Sequence, residues 1–330
     1  MKTLLITGAS GFIGHHFVQH ILAVTDWRML LLDKLSYSSK GLQRLHEINA
    51  LHNDRVKVFT WDLTSPISEG LQKELCDVNI IVHMAAETHV DRSIEDPVQC
   101  IGNNVMSTVH MLEYARKLEN LEQVLYFSTD EVFGPAPHGI LYKEWDRHNP
   151  TNPYSASKSA AENICISYHN TYNIPVKVCN VMNVFGERQY VEKFIPLCIS
   201  KILKGETIEI HSYPGCKEAG TRFYIHARNV ASAVMFVIEK GEIGNKYNIS
   251  GEQEVSNLEI AQIIARELGK SLEYTMVDFH SKRPGHDLRY GLDSKKLKDM
   301  GWTLPISFEE SLSKMVQWTI KNGNSHWLDY

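Results

Sequence analysis

The segment "TGASGFIG" at residues 7–14 constrains the fold more than any other. An apolar run, "TLLI", leads into it, and Phe12, Ile13, Phe17, Ile21 and Leu22 leave it with helical spacing. Gly8, Gly11 and Gly14 therefore stand where a strand turns sharply into a helix, and helix N–H groups are left open to an anion. The sequence that follows keeps the same rhythm. "RMLLLD", "RVKVFTWD", "VNIIVHMAA", "QVLYFSTD" and "VKVCNVMN" read as nearly continuous apolar strands. Between them lie helical patterns such as "NVMSTVHMLEYARKL" and "SASKSAAENICISYHNTY". This alternation predicts an α/β fold, a Rossmann-type doubly wound parallel sheet covered on both faces.

Beyond residue 182 the pattern loosens into shorter helices ("KFIPLCISKILKG", "NLEIAQIIAREL", "FEESLSKMVQWTIKN") and isolated strands ("TIEIH", "KYNIS"). Residues 1–182 are expected to bind the dinucleotide and 183–330 to form a smaller mixed α/β substrate lobe. Residues 221–240 are expected to return to the first domain as a strand and a helix. A chain of 330 residues can bury a core in each. The net charge of −5, with basic residues scattered, argues against nucleic acid or membrane partners. The N-terminal apolar run is too short, and too broken by glycine, for a signal peptide. Six cysteines without a C-x-x-C pair suggest reduced, buried thiols in a cytoplasmic protein. His16 and His20 have the i,i+4 spacing of metal ligands, but no third ligand accompanies them. They are expected to be partly exposed helix histidines, and no metal is expected.

Asp33 closes the second strand, 19 residues after Gly14. An acid there bonds a ribose 2′-hydroxyl and disfavours a 2′-phosphate, so NAD is expected over NADP. Asp62, at the end of the third strand, either reaches an adenine edge or caps a turn. Met84, Ala85 and Ala86 end the fourth strand, pointing at the same crevice.

"FSTDEVFG" at 127–134 ends a buried strand in two adjacent acids, Asp130 and Glu131. They are either solvated turn residues or present for chemistry, because burying two neighbouring carboxylates is costly. Adjacent strand residues point to opposite faces, so both can serve one ligand only if the chain leaves strand geometry at Thr129. Tyr154 and Lys158, in "YSASK", share a helix face. A lysine cation near a phenol favours phenolate, which can take an alcohol proton as a hydride leaves.

With "DKLSY", "HMAAETHVDRSI", "NNVMST", "EKFIP", "NLEI" and "RPGHDLRY", these motifs make the chain resemble the extended short-chain dehydrogenases/reductases along nearly its whole length. More narrowly, it resembles the nucleotide-sugar 4,6-dehydratases of the dTDP-glucose type. The resemblance implies that dTDP-glucose or UDP-glucose becomes a 4-keto-6-deoxy sugar and water. Tyr154 would act as base while C4 is oxidised, with Thr129 holding the C4 oxygen. Glu131 would remove the C5 proton, Asp130 would protonate the departing C6 hydroxyl, and the hydride would return to C6. Phe12, Ile13, Lys34, Ser36, Leu63, Asn103 and Val184 complete the expected cofactor set, with Tyr154 and Lys158. Thr88, Asn183, Glu192, Lys193, Arg222, Asn257, Arg283 and His286 are the expected substrate contacts. A homodimer through helices near 104–118 and 157–172 is implied as well.

The chain departs from the family pattern at Phe133, Val184, His211 and Asn229, and in a longer turn within "IEIHSYPGCKEAGTRFYIHARN". That segment lies near the nucleobase in the family, so thymine and uracil both stay open. A 4-epimerase or decarboxylase on the same fold is the alternative. Those chemistries share the ketone but have no use for an acid pair at C5 and C6.

Overall fold

The computed structural model describes residues 1–279, 288–321 and 324–329. The apolar segments form strands β1 (Thr3–Thr7), β2 (Arg28–Asp33), β3 (Val56–Thr60), β4 (Ile80–His83), β5 (Gln123–Thr129) and β6 (Val176–Val181). Shorter strands follow: β7 (Val184–Phe185), β8 (Ile208–Ser212), β9 (Thr221–Arg222), β10 (Ile225–His226), β11 (Lys246–Ile249), β12 (Val255–Ser256) and β13 (Tyr274–Asp278). Seven of them form one sheet in the order β3-β2-β1-β4-β5-β6-β11, and every pairing in it is parallel. The order reverses beside β1, which opens a crevice at the carboxyl ends of the strands. Side chains alternate across the sheet. Leu4 and Ile6 pack with Phe17 and Val234 on one face, while Leu5 packs with Met111, Leu112 and Ala161 on the other.

The strand expected within residues 221–240 needs correction. The helix Ala227–Lys240 does cover the sheet beside the helix Phe12–Val24, through Val230, Val234 and Val237. The strand before it does not join the sheet: β10 has two residues and pairs with β7 instead. With the helix starting at Ala227, little extended chain remains to reach the sheet edge. The seventh strand is β11, from the "KYNIS" segment expected in the lobe; it pairs with β6 and buries Tyr247 and Ile249.

The lobe has its own core. Helices Phe194–Lys204, Asn257–Leu268 and Phe308–Ile320 pack around Ile208, Ile210, Tyr224 and Val255. Four cysteines are buried, two are exposed, and all are free. Among the described residues no helix is long and apolar enough to cross a membrane. His16 is buried rather than partly exposed: its ring sits under the lobe and bonds the Glu187 carbonyl at 3.0 Å.

Candidate active site

The carboxyl ends of the central strands open into a cavity of about 360 Å³. Gly8, Gly11, Phe12, Ile13 and Gly14 line it after β1, and Asp33, Lys34 and Ser36 after β2. A methyl group at Gly14 would collide with the Gly8 carbonyl, so glycine there lets the helix start against the turn. Asp62 and Leu63 come from the end of β3; Met84, Ala85, Ala86 and Thr88 follow β4, with Asn103 behind them. Thr129, Asp130, Glu131, Tyr154 and Lys158 complete the wall with Asn183, Val184, Glu192 and Lys193 from the lobe side. Two expected contacts do not line it. Arg222 is buried, gives hydrogen bonds to the Thr221 and Leu288 carbonyls, and lies over the Tyr290 ring. Asn257 accepts a bond from Tyr224, which does line the cavity. Arg283 and His286 lie outside the described residues.

At the glycine end the Asp33 carboxylate is fixed by backbone N–H groups of Ser10 at 2.9 Å and Leu35 at 2.8 Å. Burial pushes its pKa upward, and these bonds oppose that shift. Asp62 accepts from the Thr64 N–H at 2.9 Å, so it caps its turn while lining the cavity.

At the other end, strand geometry stops at Thr129. Residues Asp130–Phe133 form a 3-10 turn, and Thr129 Oγ1 caps it by accepting from the Glu131 N–H at 3.4 Å. This bend brings both acids to one cavity. Gly134 closes the turn with φ of 75°, where a side chain would also strike the Asn149 carbonyl. Asp130 is 3 % exposed. Its Oδ1 accepts from Thr129 at 2.9 Å, and its Oδ2 is buried with no hydrogen-bond partner among the described residues. Burial first, and then the Glu131 charge, push the Asp130 pKa up to about 7. A carboxyl in that state can give a proton, while Glu131 is steadied by Asn152 at 3.3 Å.

Tyr154 and Lys158 lie on the helix Pro153–Tyr172, whose start is fixed by a reciprocal capping box between Asn152 and Ser155. Lys158 Nζ donates a hydrogen bond to the Phe127 carbonyl at 2.7 Å and sits 4.4 Å from the Tyr126 ring centre. Burial lowers its pKa to about 8. The expectation that lysine depresses the Tyr154 pKa is not met. Burial, followed by the Glu131 charge, pushes that phenol well above its ordinary value. The lysine's charge is directed at the Phe127 carbonyl and the Tyr126 ring, and two carboxyls share the phenol's pocket.

Sequence reasoning missed the support behind these residues. Glu162, one turn past Lys158, is fully buried and contacts Lys246 at 2.7 Å and His148 at 3.3 Å. It also accepts from Ser128 at 2.6 Å and Asn180 at 2.8 Å. Against burial, His148 and Lys246 hold its pKa down at about 2. The acid spaced i+4 from Lys158 was a legible signal; partners from residues 148 and 246 were not. Phe133 packs its ring on Tyr142 and edge-on to His148. Asn229 donates to the Ile306 carbonyl, and His211 packs against Phe279.

The sequence profile of the family described as GDP-mannose 4,6 dehydratase matches residues 5–315. The chain is 32% identical over 346 residues to a dTDP-glucose 4,6-dehydratase of Escherichia coli, covering 97% of this chain and 94% of that one. It is 33% identical to an Arabidopsis thaliana trifunctional UDP-glucose 4,6-dehydratase/3,5-epimerase/reductase, covering 97% of this chain and 47% of that longer one. The structure of a dTDP-glucose 4,6-dehydratase from Streptomyces venezuelae, solved with NAD bound, superposes with a TM-score of 0.86 at 33% identity, covering 97% of each chain.

Proposed function

The chain belongs to the GDP-mannose 4,6 dehydratase family of extended short-chain dehydrogenases/reductases, and on that premise we propose that it is an NAD-dependent NDP-glucose 4,6-dehydratase. The observation that carries this reading is the 3-10 turn that brings the buried Asp130 and the adjacent Glu131 to one cavity beside Thr129 and Tyr154; burial and the Glu131 charge raise the Asp130 pKa to about 7. An epimerase needs the ketone alone, whereas elimination of water needs a base and an acid together.

The cavity fits NAD. The glycine turn leaves room for backbone to approach a pyrophosphate, and Asp33, held by two N–H groups, suits a ribose diol and repels a 2′-phosphate. When bound, NAD would supply the hydride acceptor and donor for the sugar. Tyr154 takes the 4-hydroxyl proton while Thr129 hydrogen-bonds that oxygen. The C4 ketone acidifies the C5 proton, and Glu131 removes it. Asp130 gives its proton to the C6 hydroxyl, which leaves as water, and Glu131 returns its proton to C5 as C6 is reduced. Lys158, held by the Phe127 carbonyl, lines the cavity where it can orient the cofactor.

In this reading residues 1–182, with Ala227–Lys240 and β11, hold the dinucleotide, and the rest of the chain forms the nucleotide-sugar lobe. Val98, Ile101 and Met106 are exposed on the helix Pro97–Ala115, which supports pairing with a second copy. The relatives include dTDP- and UDP-glucose enzymes, so either base is compatible. The test is incubation with dTDP-glucose and UDP-glucose separately, followed by mass spectrometry. Loss of one water from either supports the reading, and an epimer of unchanged mass would overturn it.

A further inference from the structure

The loop that follows Asp33 crosses to the lobe. Leu35 has φ of 58°, a left-handed conformation that a branched side chain rarely adopts. Its N–H is tied back to Asp33. The bend carries Tyr37 to the lobe, where its hydroxyl donates to Glu192 at 3.2 Å and its ring meets Tyr190 edge-on at 5.7 Å. The Arg92 guanidinium lies 3.5 Å from the Tyr37 ring centre. His89, from the same short helical segment, places Nε2 3.7 Å from the other Glu192 oxygen. Lys34 and Glu87 join the two loops again at 2.9 Å. Glu192 lines the cavity, yet it is held from the dinucleotide side.

We propose that Tyr37, braced by Arg92, is a positioning residue that couples the two ligands of the site. Asp33, which anchors the Leu35 bend, is also the group that faces the ribose, so a bound dinucleotide steadies the loop that presents Tyr37. Tyr37 in turn fixes the Glu192 carboxylate on the substrate side. Linkage is reciprocal: a nucleotide diphosphate held in the lobe then tightens binding of the dinucleotide, and a steadied loop shows that tightening as slower release. The phenol remains a donor throughout, since burial and the Glu192 charge keep its proton in place. The proposal rests on the nucleotide-sugar reading above.

The test is the release rate of NAD from the loaded full-length enzyme after dilution, with and without saturating dTDP or UDP as probe. In the wild type the probe is expected to slow release roughly tenfold, the size of one hydrogen bond to a charged group. Y37F is expected to lose this slowing while retaining its thermal midpoint, because Tyr37 is 38 % exposed and only the hydroxyl is removed. R92M is expected to lose most of it as well, since the ring then lacks its brace. Undiminished slowing in Y37F, or no slowing in the wild type while dTDP or UDP binds, would overturn the coupling. If neither nucleotide binds, the nucleotide-sugar reading fails and takes this proposal with it; binding by calorimetry separates the two failures.

Discussion

Asp130 shows how burial and a neighbouring charge combine on one side chain. Its pKa rises from the ordinary 3.8 to about 7, so between those values the folded chain keeps a proton that the unfolded chain sheds. The carboxyl's contribution to stability therefore falls as pH rises through that window and is level above it. D130N removes the titration, and its stability relative to wild type is expected to grow from pH 4 to pH 7, by a few kcal/mol, roughly. Urea unfolding at both pH values checks this. In the proposed reaction the same substitution removes the proton donor, so elimination is expected to slow about 10²-fold or more. In wild type the elimination rate should decline above about pH 7 as the acid ionises. E131Q is expected to bind NAD normally and to block elimination; unchanged turnover would remove Glu131 from the role of base. The adjacency of the two acids was legible in the sequence. That both reach one cavity depends on the 3-10 turn and on Gly134, which only coordinates reveal.

At the scale of elements, the helix Pro153–Tyr172, which carries Tyr154 and Lys158, is pinned by a buried charge rather than by apolar contacts alone. Glu162 ties it to β11 through Lys246 and to the segment before the helix through His148. K246M leaves Glu162 buried with less compensation, at an expected cost of about 3–5 kcal/mol. The double substitution K246M/E162M is expected to cost clearly less, because it removes the charge with its partner. Denaturation midpoints for the two variants decide this, and equal losses would refute the pairing argument. Long strands such as β2 and β5 were legible because apolar runs between helices leave few other solutions. β11 was not: four residues carry little pattern, and its partner β6 lies more than sixty residues earlier. The short β10 was misplaced for the same reason. His16 was misjudged because helical periodicity cannot show that a lobe later covers that face.

At the scale of the whole molecule, a nucleotide-binding sheet and a lobe share one cavity, and its two ends divide the work. Much of the wall was legible, because glycines, strand-end acids and Y-x-x-x-K each have a mechanical reason for their positions. Arg222 and Asn257 were less so. The structure keeps them behind the wall, in bonds to the chain's own carbonyls and to Tyr224. One site is expected to oxidise C4, eliminate water across C5 and C6, and reduce C6 without exchanging its cofactor. The most direct measurement uses NDP-glucose carrying deuterium at C4, with the product located by NMR. The expected product is a 4-keto-6-deoxy sugar with that deuterium on C6 and none released to solvent. Deuterium retained at C4 of an epimer, or a ketone that keeps its 6-hydroxyl, would contradict it.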